Sequence, residues 1–192
     1  MRRESTVALF PTCWRMMSTD IPRTSLLGHA LAAAAHTDYV TLVQQRLLTP
    51  LGMSATTLPL TTNEFPGDAP TGYSADGKAE GPWAVNGWAP AGGARSTPED
   101  MARHARALLD GTAPGMDALT PQWDILEGAQ QIGYAWQTQL YKGHLITFKN
   151  GLTGGFTSKI ALDRERQRAV IVLSNTAAEV DDAANGLLVG PY

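Results

Sequence analysis

The chain has 192 residues, 43% of them hydrophobic and 17% charged, with a formal net charge of −3. That is enough chain for one domain with a substantial core, and the balance gives no basic field for nucleic acid. The single cysteine, Cys13, excludes an internal disulfide and a thiolate metal cluster, and the neighbouring Trp14 suits a small buried hydrophobe.

No apolar run reaches the roughly 18 residues needed to cross a bilayer, so no membrane span is expected. Met1-Arg2-Arg3 ahead of Val7-Ala8-Leu9-Phe10 has the outline of a secretory leader. Glu4 in the basic region, Pro11 and the lack of a small-x-small cleavage site argue against it, so localisation stays unread. Residues 1–25 show no clear period and read as an irregular, atypical N-terminal segment.

Order begins at Leu26. The Ala-rich run 26–35 predicts a largely buried helix, and Tyr39 to Leu48 predicts a second. Thr37 or Asp38 can cap that second helix, and Pro50 with Gly52 ends it. The stretch 54–90 is rich in Pro, Gly, Thr and Asn, with turn signals at Gly72-Tyr73 and Asp76-Gly77. Its length suggests short strands or a functional excursion, and Trp83 and Trp88 on it are packing residues or cleft lining. Thr97-Pro98-Glu99-Asp100 is a helix start, with Thr as N-cap, Pro at the first helical position and acids in the first turn. A helix over 98–110 follows.

The last third changes to a period of two. Tyr134 to Tyr141 alternates as a half-buried strand, Lys142-Gly143 turns, and His144 to Lys149 makes a second strand. Thr157 to Asp163 alternates again, and the charged run 164–168 forms a hairpin loop. Ala169 to Ser174 is continuously apolar, the pattern of a central strand. A closing helix is expected over 179–188, where Asp181 and Asp182 place negative charge at the N-terminus. Strands joined by tight turns imply an antiparallel sheet with helices packed on it, an α+β fold.

Chemistry concentrates in Lys149-Asn150-Gly151-Leu152-Thr153-Gly154-Gly155-Phe156. Glycines at 151, 154 and 155 let a strand approach a ligand closely. The Lys149 ammonium can face a carboxylate, and exposed strand N–H groups can hold a developing oxyanion. A glycine-rich bulge beside an exposed lysine is the other reading these residue types allow. His29, His36, His104 and His144 are dispersed, with no acid cluster, so neither a metal nor another cofactor is expected.

Lys149-Asn150-Gly151 resembles the Lys-Thr-Gly box of serine β-lactamases and penicillin-binding proteins. Thr153-Gly154-Gly155-Phe156 is similar to its continuation in class C β-lactamases and their esterase relatives. Leu26-Leu27-Gly28-His29-Ala30-Leu31, Pro50-Leu51-Gly52-Met53 and the run from Pro90 to Ala102 resemble the same family, in its order along the chain.

The resemblance implies acyl transfer on a β-lactam, a D-Ala peptide or an ester, by a serine in a Ser-x-x-Lys box aided by a tyrosine. It implies that Lys149 holds the substrate carboxylate and tunes that tyrosine, and that the Leu152 backbone N–H donates to the oxyanion. Asn150 stands where the family usually has Thr, offering an amide in place of a hydroxyl. Gly151, Thr153 and Asn175 complete the implied substrate contacts. In these 192 residues no serine is followed three positions later by lysine, and no Tyr-x-Asn box precedes Leu26. Tyr73 in Tyr73-Ser74 has the start of that box without its Asn and lies too far downstream.

The expectation is therefore that 26–192 is the C-terminal part of a β-lactamase or transpeptidase-like domain, its N-terminal strands and helical subdomain largely missing. Such a truncated copy is expected to have little activity alone and to expose a sheet edge open to self-association. Two other readings stand beside it: a non-catalytic remnant or binding module that pairs through that edge, and an esterase using Ser158 or Ser174.

Overall fold

The period-two segments become strands that hydrogen-bond in chain order. They are β1 (Trp123–Asp124), β2 (Gln130–Ile132), β3 (Gln137–Tyr141), β4 (His144–Thr153), β5 (Phe156–Asp163) and β6 (Arg168–Ser174). Together they form one six-stranded antiparallel sheet in which each strand pairs with the next. The computed structural model describes residues 10–84, 86–126 and 128–190, with side chains in the first helix from Ile21 onward. The leader-like start therefore lies outside the described residues, as does the side chain of Cys13.

Turn chemistry sets the register. Lys142 and Gly143 both have positive φ (49° and 82°), the conformation of a two-residue hairpin turn. β3 begins at Gln137 rather than at Tyr134, because Ala135 has φ 66° and breaks the extended backbone. β4 runs on through Lys149 to Thr153, so the glycine-rich stretch is mostly strand rather than a link between strands.

The helices are α1 (Phe10–Ala34), α2 (Tyr39–Val43), α3 (Thr49–Leu51), α4 (Ala89–Gly92), α5 (Pro98–Leu109) and α6 (Asp181–Val189). α1 starts at Phe10, within the segment expected to be irregular. It continues through Pro22, against the usual cost of a ring inside a helix. Asp38 caps α2, its Oδ1 accepting from the Thr41 N–H at 2.9 Å. A π-turn at Gln44–Leu48 joins α2 to α3, and Pro50 sits inside that run instead of ending it. Pro50 stands in the first turn of α3, where the N–H that proline lacks is least missed. Gly52, with φ 64°, closes the helix.

β5 lies between two cores. Ile160 and Leu162 join Ala105, Leu108 and Leu119 under α5, whereas Ala161 joins Ile146, Phe148 and Leu188 under α6. Side chains alternating up and down a strand thus feed helices on both faces, and Lys159–Asp163 are all buried. Asp100 of α5 is also buried. It accepts from the Ala55 N–H (2.9 Å) and the Thr56 hydroxyl (2.8 Å) and pairs with Arg103, which ties α5 to the turn after α3.

Two apolar segments are more exposed than their sequences lead one to expect. In α1, Gly28 packs so closely that a Cβ there would stand 2.4 Å from Pro90 Cβ, yet Leu26, Leu27 and Leu31 are exposed. One side of that helix meets Pro90 and Tyr39, and no described residue covers the other. β6, expected at the centre of the sheet, is its last strand, with every residue half-buried or exposed.

Candidate active site

β4 carries the candidate residues, and its alternation divides them between two faces. Lys149 lies opposite Ile160, Gly151 opposite Ser158 and Thr153 opposite Phe156, on the α5 side. Asn150 lies opposite Lys159 and Leu152 opposite Thr157, on the α6 side. Lys149 and Leu152 are exposed; Asn150, Gly151 and Thr153 are half-buried. A Cβ on Gly151 would come 3.2 Å from Ser158 Oγ, so glycine keeps the surface low between Lys149 and Thr153.

The strand outruns one neighbour. β3 accompanies β4 only as far as Phe148, which faces Gln137, while β5 accompanies it to Thr153. Among the described residues, 149–153 therefore have a ladder partner on the β5 side alone. Among the described residues no strand covers the other side of 150–153, the side on which an oxyanion donor would have to stand.

The next turn is held by the chain itself. Gly155 has φ 77°, and a Cβ on it would stand 2.4 Å from Gly72 C and Tyr73 N. The Tyr73 N–H donates to Gly155 O (3.1 Å) and Asn175 O (2.9 Å), and the Asn175 amide donates to Thr71 O at 3.1 Å. Gly155 thus serves a close crossing of the 71–73 loop, and a Cβ on Gly154 would meet Gly81 O and Trp83. Asn175 sits in the same knot, at the Thr153 end of the sheet. Lys149 is four residues further back along β4, about 13 Å at strand rise. Gly92 of α4 approaches Thr153, and Trp83 packs against Gly154, so the tryptophan-bearing loop flanks this end.

On the α6 face, Asn150 Nδ2 donates to Asp181 Oδ2 (3.3 Å), and Asp181 Oδ1 stands 3.0 Å from the Lys159 ammonium. Lys159 is buried and also lies over the Phe148 ring, 4.4 Å from its centroid. The Lys159–Asp181 contact is ionic rather than an aligned hydrogen bond. Sequence reasoning took Asp181 for helix-terminal charge and did not single out Lys159. The period-two pattern was the available signal, since it puts both Lys159 and Asn150 on the face opposite Lys149. Arg95 was also missed as a site neighbour; its guanidinium lies over Phe65 (4.4 Å) and Phe156 (5.5 Å), bracing the strand end.

Ser158 and Ser174, the alternative nucleophiles, are half-buried, and the Ser174 hydroxyl donates to Thr176 O at 3.3 Å. Tyr73 enters the site region through its backbone. Among the described residues no group of His, Cys, Asp or Glu is arranged to hold a metal ion, and no helix is long and apolar enough to cross a membrane.

The β-lactamase family model matches residues 15–190 of the chain. The chain belongs to the β-lactamase family. The match takes in most of α1 and starts upstream of Leu26, the first residue with readable family character.

Solved structures of similar fold include a D-alanine carboxypeptidase from Burkholderia cenocepacia, at 22% identity and TM-score 0.76, covering 88% of this chain and 59% of that one. A class C β-lactamase mutant matches at 18% identity and TM-score 0.73, covering 86% of this chain and 55% of that one. A β-lactamase/D-alanine carboxypeptidase from Pseudomonas syringae matches at 18% identity and TM-score 0.72, covering 85% and 56%. This β-lactamase-family chain thus spans little more than half the length of these structures, and at such identities the likeness is one of fold. A comparison with curated proteins finds no match.

Proposed function

We propose that the chain carries the substrate-holding strand of a β-lactamase-type acyl-transfer site, and that these 192 residues alone give little or no turnover. The observation that carries this reading is the stretch of β4 beyond Phe148, where among the described residues the Lys-Asn-Gly box and Leu152 have no β3 neighbour. Lys149 offers its ammonium to a substrate carboxylate. The Leu152 N–H is the candidate donor to the carbonyl oxygen as it becomes an oxyanion. Gly151 admits the ligand to the strand surface, and Thr153 and Asn175 border the same end.

Acyl transfer also needs a nucleophile and a base to take its proton, and no serine here has a lysine three residues on. Loss of such groups costs several powers of ten in rate, leaving binding and oxyanion effects. The ligand class is a small acyl donor bearing a carboxylate: a β-lactam, a D-Ala peptide or an ester of similar shape.

Two measurements test the reading. Fluorescent penicillin should leave the chain unlabelled; stoichiometric labelling mapped to one of its serines would overturn the lack of turnover. Benzylpenicillin titrated to tens of millimolar should shift the amide resonances of Gly151 and Leu152, and Lys149→Ala should abolish those shifts. Unmoved resonances would remove the substrate-holding role.

A further inference from the structure

We propose that one face of β1–β3, the face on the α6 side, is a carbohydrate-binding surface that takes a neutral pyranose chain through aromatic and amide contacts. The register fixes which side chains share that face. Trp123 lies opposite Ile132, Ile132 opposite Gln137, and Gln137 opposite Phe148. Phe148 packs with Leu188 of α6, so Trp123, Ile132 and Gln137 are all on the α6 side. Gln130 and Gln139, two residues from Ile132 and Gln137, face each other on the same side.

Among the described residues, the core beneath α6 is built from β4, β5 and β6, with Tyr141 of β3 at its rim. An apolar row beyond that core would call for protein cover, and lysine or glutamate ordinarily guards a sheet edge. Around Ile132 this face instead presents Trp123, Gln130, Gln137 and Gln139, all exposed or half-buried. The single charge in the three strands, Asp124, lies opposite Gln131 on the other face, where its Oδ1 accepts from Gln131 Nε2 at 3.0 Å.

That chemistry complements a sugar. A pyranose ring has an apolar C–H face and a rim of hydroxyls, each able to donate and to accept. An exposed indole suits the C–H face, and an amide, with donor and acceptor in one plane, suits neighbouring hydroxyls. The lack of charge on the face selects a neutral chain over an acidic or a basic one.

The groups are already held in place. Trp123 is 57% and Tyr134 62% exposed, and their rings meet edge to face with centroids 6.1 Å apart. Gln130 Nε2 donates to Gln137 Oε1 at 2.9 Å, which fixes both amides and leaves Gln130 Oε1 to accept and Gln137 Nε2 to donate. Ordering these side chains in advance lowers the entropy lost when a ligand binds. From β1 to β3 the face is two strand spacings wide, about 10 Å, so more than one sugar ring can lie across it.

Cellotetraose and chitotriose, both neutral, should be titrated to tens of millimolar into the isotope-labelled 192-residue chain. At least one should move the Trp123 indole N–H and the side-chain amides of Gln130, Gln137 and Gln139, while the Trp88 indole stays still. Trp123→Ala, at an exposed position, should keep the parent's circular dichroism and melting temperature yet weaken binding about fivefold or more, the loss of one aromatic contact. Benzylpenicillin should not displace the sugar, because its expected shifts are at Gly151 and Leu152. Unmoved resonances with both sugars overturn the proposal, as do equal shifts with glycerol, which would mean binding at high concentration only. Displacement by benzylpenicillin also overturns it, assigning the sugar to β4. So does a mass that rises with protein concentration and returns to 20.5 kDa with Trp123→Ala, which would make the face a protein contact.

Discussion

Replacing Asp181 by Asn removes the counter-charge of a buried lysine while keeping side-chain shape. The Lys159 side chain is 1% exposed and its ammonium lies 3.0 Å from Asp181 Oδ1, whereas Asp181 is 34% exposed. Removing one member of a fully buried pair costs about 3–5 kcal/mol, because the remaining charge is left without compensation. Two features reduce the figure here: water reaches the Asp181 side, and the Phe148 ring face still attracts the ammonium. The expected loss is about 2–3 kcal/mol, discounted from that buried-pair range. For a chain of this length that is a fall in Tm of about 4–12 °C, at roughly 2–4 °C per kcal/mol.

Lys159→Met should behave differently. It removes the pair together with the desolvation cost of the ammonium, and it leaves Asp181 at a helix N-terminus, where the dipole favours negative charge. Urea unfolding at pH 7 should place Lys159→Met within about 1 kcal/mol of the parent, with a coupling energy of about 1–3 kcal/mol in the double-mutant cycle. High salt should change the coupling little, since buried charges are poorly screened. Equal and small losses for both single variants would refute the reasoning. So would a greater loss for Lys159→Met, which would mean that the lysine stem contributes by packing.

Two glycines with positive φ should respond unequally to alanine. At Gly52 (φ 64°) a Cβ meets nothing within 4 Å, so Gly52→Ala carries only the left-handed backbone penalty, about 1 kcal/mol. At Gly155 (φ 77°) the Cβ would strike Gly72 and Tyr73 backbone at 2.4 Å, and the loss should be at least twice as large; chemical denaturation compares them, and equal losses would contradict the crossing described. Asp100 predicts a pH dependence. Burial acts to raise its pKa, but hydrogen bonds from Thr56 and Ala55 and the charge of Arg103 outweigh it and hold the carboxyl below its ordinary 3.8. A depressed folded-state value gives stability that is present above about pH 4 and is lost as pH falls through the folded value. Asp100→Asn should therefore melt lower than the parent at pH 7, with the gap narrowing in acid; parallel Tm curves across pH 2–7 would reject the assignment.

What the sequence revealed followed physical period. Alternation from Thr157 to Asp163 located β5, and Thr97-Pro98 located the start of α5 to the residue, because each signal is local and chemical. β6 was placed at the sheet centre because apolar composition reports the burial for which a segment is suited, whereas its place in this chain depends on which other strands are present. The helix at 26–35 followed the same logic: its leucines suit a buried setting, and only the Gly28 side meets a neighbour. Lys149 and Gly151 were legible as a motif. The open side of β4 was not, since it depends on where β3 starts, and that was decided by the positive φ of Ala135. The knot of Gly72, Tyr73, Gly155 and Asn175 joins positions up to about a hundred residues apart, beyond the reach of any spacing rule.

Asn150 shows how a motif position can take a second task. The family resemblance placed an amide there in place of a hydroxyl and gave it to the substrate. In the folded chain that amide is on the α6 face, where it donates to Asp181, and Asp181 in turn meets Lys159. One strand thus divides its labour by parity. Lys149, Gly151 and Thr153 shape the α5 side, while Asn150 fastens the same segment to the start of α6 from behind. A segment with a ladder on one side only needs such fastening, because each missing backbone bond on the open side lowers the cost of local fraying. The Asn150–Asp181–Lys159 chain therefore stiffens the stretch that, in the function proposed, keeps its backbone open. A Thr at position 150 has a shorter side chain to offer Asp181, so Asn150→Thr should raise amide exchange at Gly151 and Leu152 more than at Phe148, which β3 still covers.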